Sequence, residues 1–121
     1  MPDPNSVLDT FLESLKRQDL SKALSCFTPD AAILGSAKGE EVRGVTDLEH
    51  FFLRIFAKTG TYRFEFQERD WTVHQDVAWL VSNGTVIEPE QEHSKPYRLV
   101  AIFQRSESEW RMALWSGTEP V

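Results

Sequence analysis

Residues 109–120, "EWRMALWSGTEP", constrain the fold more than any other stretch. Read as an extended strand, they put Trp110, Met112 and Leu114 on one face and Arg111, Ala113 and Trp115 on the other. A strand with one face in water alternates apolar and polar side chains; one with large apolar groups on both faces needs cover on both. "VAWLV" (77–81) and "LVAIF" (99–103) have the same character. One face can pack on helices and line a pocket. In a chain this short, the available cover for the other is a second copy of itself.

The remaining elements are legible from periodicity. From Ser6 onward, Val7, Leu8, Phe11, Leu12 and Leu15 recur at helical spacing, with Ser6 or Asn5 as the expected N-cap. A second short helix is expected after Asp19, with Leu20, Ala23, Leu24 and Phe27 on one side and Pro29 beyond its end. "AAIL" (31–34) reads as a short strand and "GSAKGEEVRG" (35–44) as a loop. Thr46-Asp47-Leu48-Glu49 fits a capping box, and Leu48, Phe51, Phe52, Ile55 and Phe56 continue it as a third helix. From Thr61 the period changes to two. Tyr62, Phe64 and Phe66 share a parity that Trp71 and Val73 break, which predicts a bulge within Gln67–Asp70. Strands follow over 77–87, 97–105 and 110–116, the first kept continuous through Asn83-Gly84 with Gly84 as a bulge. Helices followed by an antiparallel meander predict an α+β fold, three helices on one face of a strongly curved, mostly antiparallel sheet that encloses a pocket.

The chain is 121 residues long and is read as one domain, 1–121, with its core over about 7–119. Its net charge is −6 and its 13 basic residues are scattered, so no basic stripe argues for nucleic acid. No apolar run reaches the ~18 residues of a membrane span, and "MPDPNS" lacks the features of a signal peptide. With Cys26 as the single cysteine, the cytoplasm is the expected location.

"CFTPDAAILGS", "EEVRGVTDLEHFF", "HQDVAWLVSNG", "YRLVAIFQR" and "EWRMALWS", in that order, resemble the SnoaL-like branch of the NTF2-like superfamily, from about Val7 to Glu119. The resemblance implies a cystatin-like α+β cone: three helices against a curved mixed sheet, a pocket between, and dimerisation through the sheet. The functions it implies are diverse. They include polyketide cyclases, ketosteroid isomerases and epoxide hydrolases, but also ligand binders and oligomerisation modules such as a kinase association domain. Relatives often end in Trp-Arg-Ile-Val-His-x-His-x-Ser, and here Leu114 and Ser116 stand at the two His positions. In the preceding strand Arg98 matches an Arg-x-Thr pattern while Val100 replaces the hydroxyl. With those positions facing inward, the pocket would have lost three polar groups.

Proton transfer at a carbonyl compound needs a base and an oxyanion donor. Asp70, beside Trp71 and the expected bulge, is the candidate base; its alternative is a solvated turn acid. Arg98 is the candidate ligand anchor, placed inward with Val100 and Ile102, where it would hold a carboxylate of a ligand or of the protein. Trp71, Trp79, Asn83, Trp115 and Ser116 complete the candidate lining. Parity leaves open which face of 77–87 looks inward, so Trp79 and Asn83 stand or fall together, and Asn83 could instead satisfy a bulge. Ser116 lacks a nucleophile elbow, Cys26 reads as a small buried filler, and His50, His74 and His93 show no metal spacing. No metal or cofactor is expected. The expected partner is a small apolar or aromatic molecule, with a carboxylate as the group Arg98 would hold, bound by a homodimer. A cofactor-free isomerase, cyclase or hydrolase is the second reading, and an oligomerisation module with a vestigial pocket the third.

Overall fold

The computed structural model describes residues 3–35 and 39–120. Its order is α1 (Pro4–Arg17), α2 (Leu20–Ser25), β1 (Phe27–Leu34), β2 (Glu41–Arg43), α3 (Gly44–Phe56), β3 (Arg63–His74), β4 (Val77–Ile87), β5 (Lys95–Ser106) and β6 (Glu109–Thr118). Six strands form one curved, open sheet ordered β2-β1-β6-β5-β4-β3. All neighbours are antiparallel except β1 and β6. The three helices pack against this sheet, as an α+β reading requires.

Two helix starts differ from expectation. Helix α1 begins at Pro4, with Asp3 as N-cap: its carboxylate accepts from the Ser6 backbone N–H while the Ser6 hydroxyl accepts from the Asp3 N–H. Ser6 is therefore the third residue of the helix, and Pro4 takes the first-turn position that needs no N–H. Helix α3 begins at Gly44 with no side-chain cap, because β2 runs straight into it through an extended Arg43. Strand β2 itself lies in the stretch read as a loop. Three residues are too few to show a period, and its pairing with β1 is what makes it a strand.

The core sits between the helices and one face of the sheet. Val7, Leu8, Phe11, Leu12 and Leu15 of α1 are buried, as are Leu48, Phe52 and Ile55 of α3. From the sheet they meet Phe66, Ala78, Leu80, Leu99, Ala101, Phe103, Met112 and Trp115. Cys26 is buried as a filler, and burial pushes its thiol up to about 11.

Two bulges decide which side chains face this core. In β3 the register slips between Glu65 and Glu68, at the near edge of the predicted interval, and brings Phe64, Phe66 and Trp71 to one face. The loosened carbonyls are satisfied locally: Arg69 Nε donates to Phe66 O at 2.7 Å and the buried Ser82 hydroxyl to Glu68 O at 2.6 Å. Neither bond involves Asn83. Strand β4 stays in register opposite, so Gly84 is not a bulge but the place where the bulge crosses: a Cβ there would lie 2.0 Å from Glu65 O. In β6 the register slips around Ala113, so Met112 and Trp115 both face the core although they lie three residues apart. The double-faced appearance of "WRMALW" is thus partly a product of the bulge, which leaves Leu114 and Ser116 outward.

Gly84→Ala is expected to lower stability by about 3 kcal/mol, because the obstructing atom is backbone and cannot swing aside. Urea denaturation with an unchanged m-value would show the loss; an unaltered midpoint would contradict it.

Candidate functional site

A cavity of about 300 Å³ lies between the helices and the concave face of the sheet. Phe11 and Leu15 of α1 and Phe51, Phe52 and Ile55 of α3 supply one wall. Ile33, Leu34 and Val42 of the β1–β2 hairpin close a second side. The meander gives the third: Tyr62 just before β3, Phe64, Val86, Tyr97, Trp115 and Gly117. Among the described residues, the charged ones in the lining are Glu40, Glu41, Glu88, Glu119 and Arg54.

Trp115 is the centre of the wall. Its ring meets Phe11 at 5.4 Å and Phe64 at 5.2 Å between centroids, both edge-on, the geometry that aromatic quadrupoles favour. Its Nε1–H donates to the Tyr97 hydroxyl oxygen at 3.0 Å. That leaves the Tyr97 O–H proton free to be donated to a third group. Gly117 keeps this arrangement open, since a Cβ there would overlap the Tyr97 hydroxyl. Burial raises Tyr97 to about 12, the Trp115 hydrogen bond opposes the shift, and Glu40 and Glu119 add to it. Tyr62 is raised as well, by burial first and then by Glu88 and Glu40, with Lys95 acting the other way.

Glu41, Glu88 and Glu119 are paired with cations. Lys95 Nζ bridges Glu119 at 3.1 Å and Glu88 at 3.4 Å, tying together the ends of β4, β5 and β6; the bond to Glu119 is the largest cause of the raised Lys95 pKa. Glu41 pairs with Arg43. The Arg54 guanidinium lies over the Phe51 ring, 5.8 Å from its centroid. Among the described residues, no three His, Cys, Asp or Glu side chains gather as a metal-binding group.

Of the seven candidate residues, only Trp115 lines this cavity. Cross-strand pairs share a face, so Arg98 pairs with Asn83 and Thr118 on the outward side, exposed, its Nε donating to Asn83 Oδ1 at 3.2 Å. Trp79 and Asn83 invert together, as their shared parity requires. Asp70 is exposed opposite Val81 on that same convex face, so it cannot reach the cavity as a base. Ser116 pairs with Val100 there too. Trp71 does face inward but at the other end of the sheet, its ring tilted against Phe103 at 5.2 Å between centroids, with its Nε1–H on Asn5 Oδ1 at 3.1 Å. Val100, Leu114 and Ser116 all face outward, so polar groups at those positions would not line the cavity.

Tyr62, Tyr97, Glu40, Glu88 and Glu119 were missed. Tyr97 had a signal. Over the middle of β5 the odd positions Tyr97, Leu99, Ala101 and Phe103 are all apolar or aromatic, whereas the even positions from 98 to 104 include the polar Arg98 and Gln104. The glutamates had none, since three loop ends meet only through the sheet order.

A sequence model of the SnoaL-like domain matches residues 5–118. No curated protein matches the chain. Among solved structures, a candidate dehydratase of the NTF2-like family from Streptomyces avermitilis is similar with a TM-score of 0.84 at 14% identity, over 97% of this chain and 93% of that one. An NTF2-like protein of unknown function from Pseudomonas putida KT2440 gives 0.83 at 12%, over 96% and 83%. A ketosteroid isomerase-like protein from Erwinia carotovora atroseptica gives 0.71 at 18%, over 97% and 93%. At these identities the likeness is one of fold.

The folded state favours protonated Tyr97, so this group contributes its full stabilisation below pH ~10, the unfolded value, and loses it as pH rises toward about 12. The loss is ~3 kcal/mol by the tenfold-per-unit relation. Denaturation series across that window should show Tyr97→Phe with a shallower decline than the parent; parallel slopes would contradict it.

Proposed function

The chain belongs to the SnoaL-like domain family, and on that premise we propose that it binds a small, largely apolar or aromatic molecule in the cavity between its helices and sheet. The observation that carries this reading is the open space itself. The cavity measures about 300 Å³, at the lower end of the range for small-molecule sites, and is walled by aromatic and aliphatic side chains with two tyrosine hydroxyls, four carboxylates and a guanidinium among the described residues. A vestigial pocket would instead be filled by its own Phe and Trp side chains. The Tyr97 O–H, held from behind by the Trp115 N–H, is the group suited to donate to a ligand oxygen.

Cofactor-free isomerase, cyclase or hydrolase chemistry is the second reading, favoured by one observation: carboxylates and a tyrosine hydroxyl line the same cavity. Any base in it would be one of those glutamates rather than Asp70.

We also place a second copy of the chain on the convex face of the sheet. Trp79, Val81 and Val100 are 39%, 41% and 38% exposed and adjacent across β4 and β5, with Ile102 and Leu114 beside them. Asp70 and Arg98 lie on the same face, flanking the apolar centre with opposite charges, which suits a two-fold interface in which each meets the partner's opposite. No helix of the described residues is long and apolar enough to cross a membrane. We assign the domain to the cytoplasm, a setting that suits a single free thiol.

Thermal unfolding against a panel of neutral aromatic and polyketide-like ketones tests binding. A ligand at ~100 times its Kd adds about 2.7 kcal/mol and moves the midpoint by roughly ten degrees. Trp115→Ala and Tyr97→Phe should weaken the response, whereas Arg98→Ala and Asp70→Asn should leave it intact; sensitivity to Arg98 alone would reverse the assignment of faces. Sedimentation analysis tests the second copy: the parent should run as a dimer and Val81→Lys as a monomer that still binds the same ligand.

A further inference from the structure

We propose that the cavity selects an organic cation, an apolar or aromatic body carrying a basic nitrogen, and discriminates against carboxylates. This rests on the ligand-binding reading and names the class of ligand.

The first support is the wall. Tyr62, Phe64, Tyr97 and Trp115 form a continuous aromatic surface, with Tyr62 stacked on Phe64 at 5.8 Å and Phe64 tilted on Tyr97 at 5.0 Å. Ring faces carry the negative part of the aromatic quadrupole and attract ammonium groups. The second is the placement of charge. Glu88 and Glu119 both line the cavity and share a single ammonium, Lys95, so these three side chains together carry one negative charge. Glu41 is matched by Arg43. Arg54 is the one guanidinium among the described lining residues, and it stands on α3 over Phe51.

The third support comes from the tyrosines, whose raised pKa values reflect what an anion would meet in the cavity. Burial is the main reason Tyr97 resists ionisation, and Glu40 and Glu119 add to it; for Tyr62 the added anions are Glu88 and Glu40, against Lys95. A carboxylate placed beside these hydroxyls meets the same burial and the same glutamates. Burial costs an ammonium as it costs a carboxylate, and the glutamates decide between them, because they repel the anion and attract the cation. Arg98, the cation expected to hold an anion, is on the opposite face of the sheet.

Lys95 gives the inference a distinctive consequence. Its ammonium occupies the charge that a ligand cation would use, so removing it should improve the site for amines. A purely structural role for the Glu88–Lys95–Glu119 bridge predicts the opposite.

Isothermal titration near neutral pH with three probes of one shape tests this: tryptamine, tryptophol and indole-3-acetate. Tryptamine is expected to bind about tenfold tighter than tryptophol, with indole-3-acetate weakest. Lys95→Met should widen the gap between amine and alcohol, Glu88→Gln should narrow it, and added salt should narrow it in the parent. Tryptophol binding as well as tryptamine, or indole-3-acetate binding tightest, overturns the cation assignment and keeps the binding reading. Binding by none of the three overturns both. Circular dichroism of each variant separates a lost preference from a lost fold.

Discussion

Everything inside this molecule turns on the side to which β6 sends Trp115. One extra residue near Ala113 brings Met112 and Trp115 to the same face, where regular alternation would separate them. Trp115 then makes three kinds of contact at once. It meets Phe11 of α1 edge-on, it meets Phe64 of β3 across the sheet, and its N–H holds the Tyr97 hydroxyl. Helix, sheet and cavity therefore share one indole. Its rigidity lets a wall remain a wall, because neither the ring nor the phenol it holds can rotate into the space without breaking a hydrogen bond or an aromatic contact.

The bulge in β3 does the same for the opposite edge of the sheet. By slipping between Glu65 and Glu68 it keeps Phe64 and Phe66 inward before the slip and Trp71 inward after it. Bulges also sharpen local twist, and a sheet that curls around helices needs such places. Gly84 opposite and Gly117 beside Tyr97 are where the curled chain comes too close for a side chain. The cavity is thus a consequence of curvature, and its polar groups are those that the curled strands bring to one end.

The two faces divide the work. The concave face spends its side chains on core and cavity. The convex face carries Trp79, Val81 and Val100 between Asp70 and Arg98. Charges expected to act on a ligand are thereby moved to a surface suited to meeting another chain, while Glu88 and Glu119 line the cavity. That exchange alters the chemistry proposed for the ligand from an anion to a cation.

Period and order were readable without coordinates. Helical spacing in α1 and α3, alternation in the meander, the parity slip before Trp71 and the resemblance to SnoaL-like domains are properties of neighbours along the chain, and the α+β cone follows from them. The inward face was not readable in the same way. When both faces of a strand are apolar, parity divides residues into two sets without saying which set is buried, and a bulge exchanges the sets partway along. Arg98, Asn83 and Trp79 were misplaced for the first reason, and Leu114 was separated from Met112 for the second. Glu88 and Glu119 were invisible for a third: they are 31 positions apart, and only the pairing of β4, β5 and β6 brings both to Lys95. Local sequence determined which elements exist, because backbone periodicity is a short-range property. Tertiary structure decided which side of them lines the cavity, because that depends on register, and register is settled between strands.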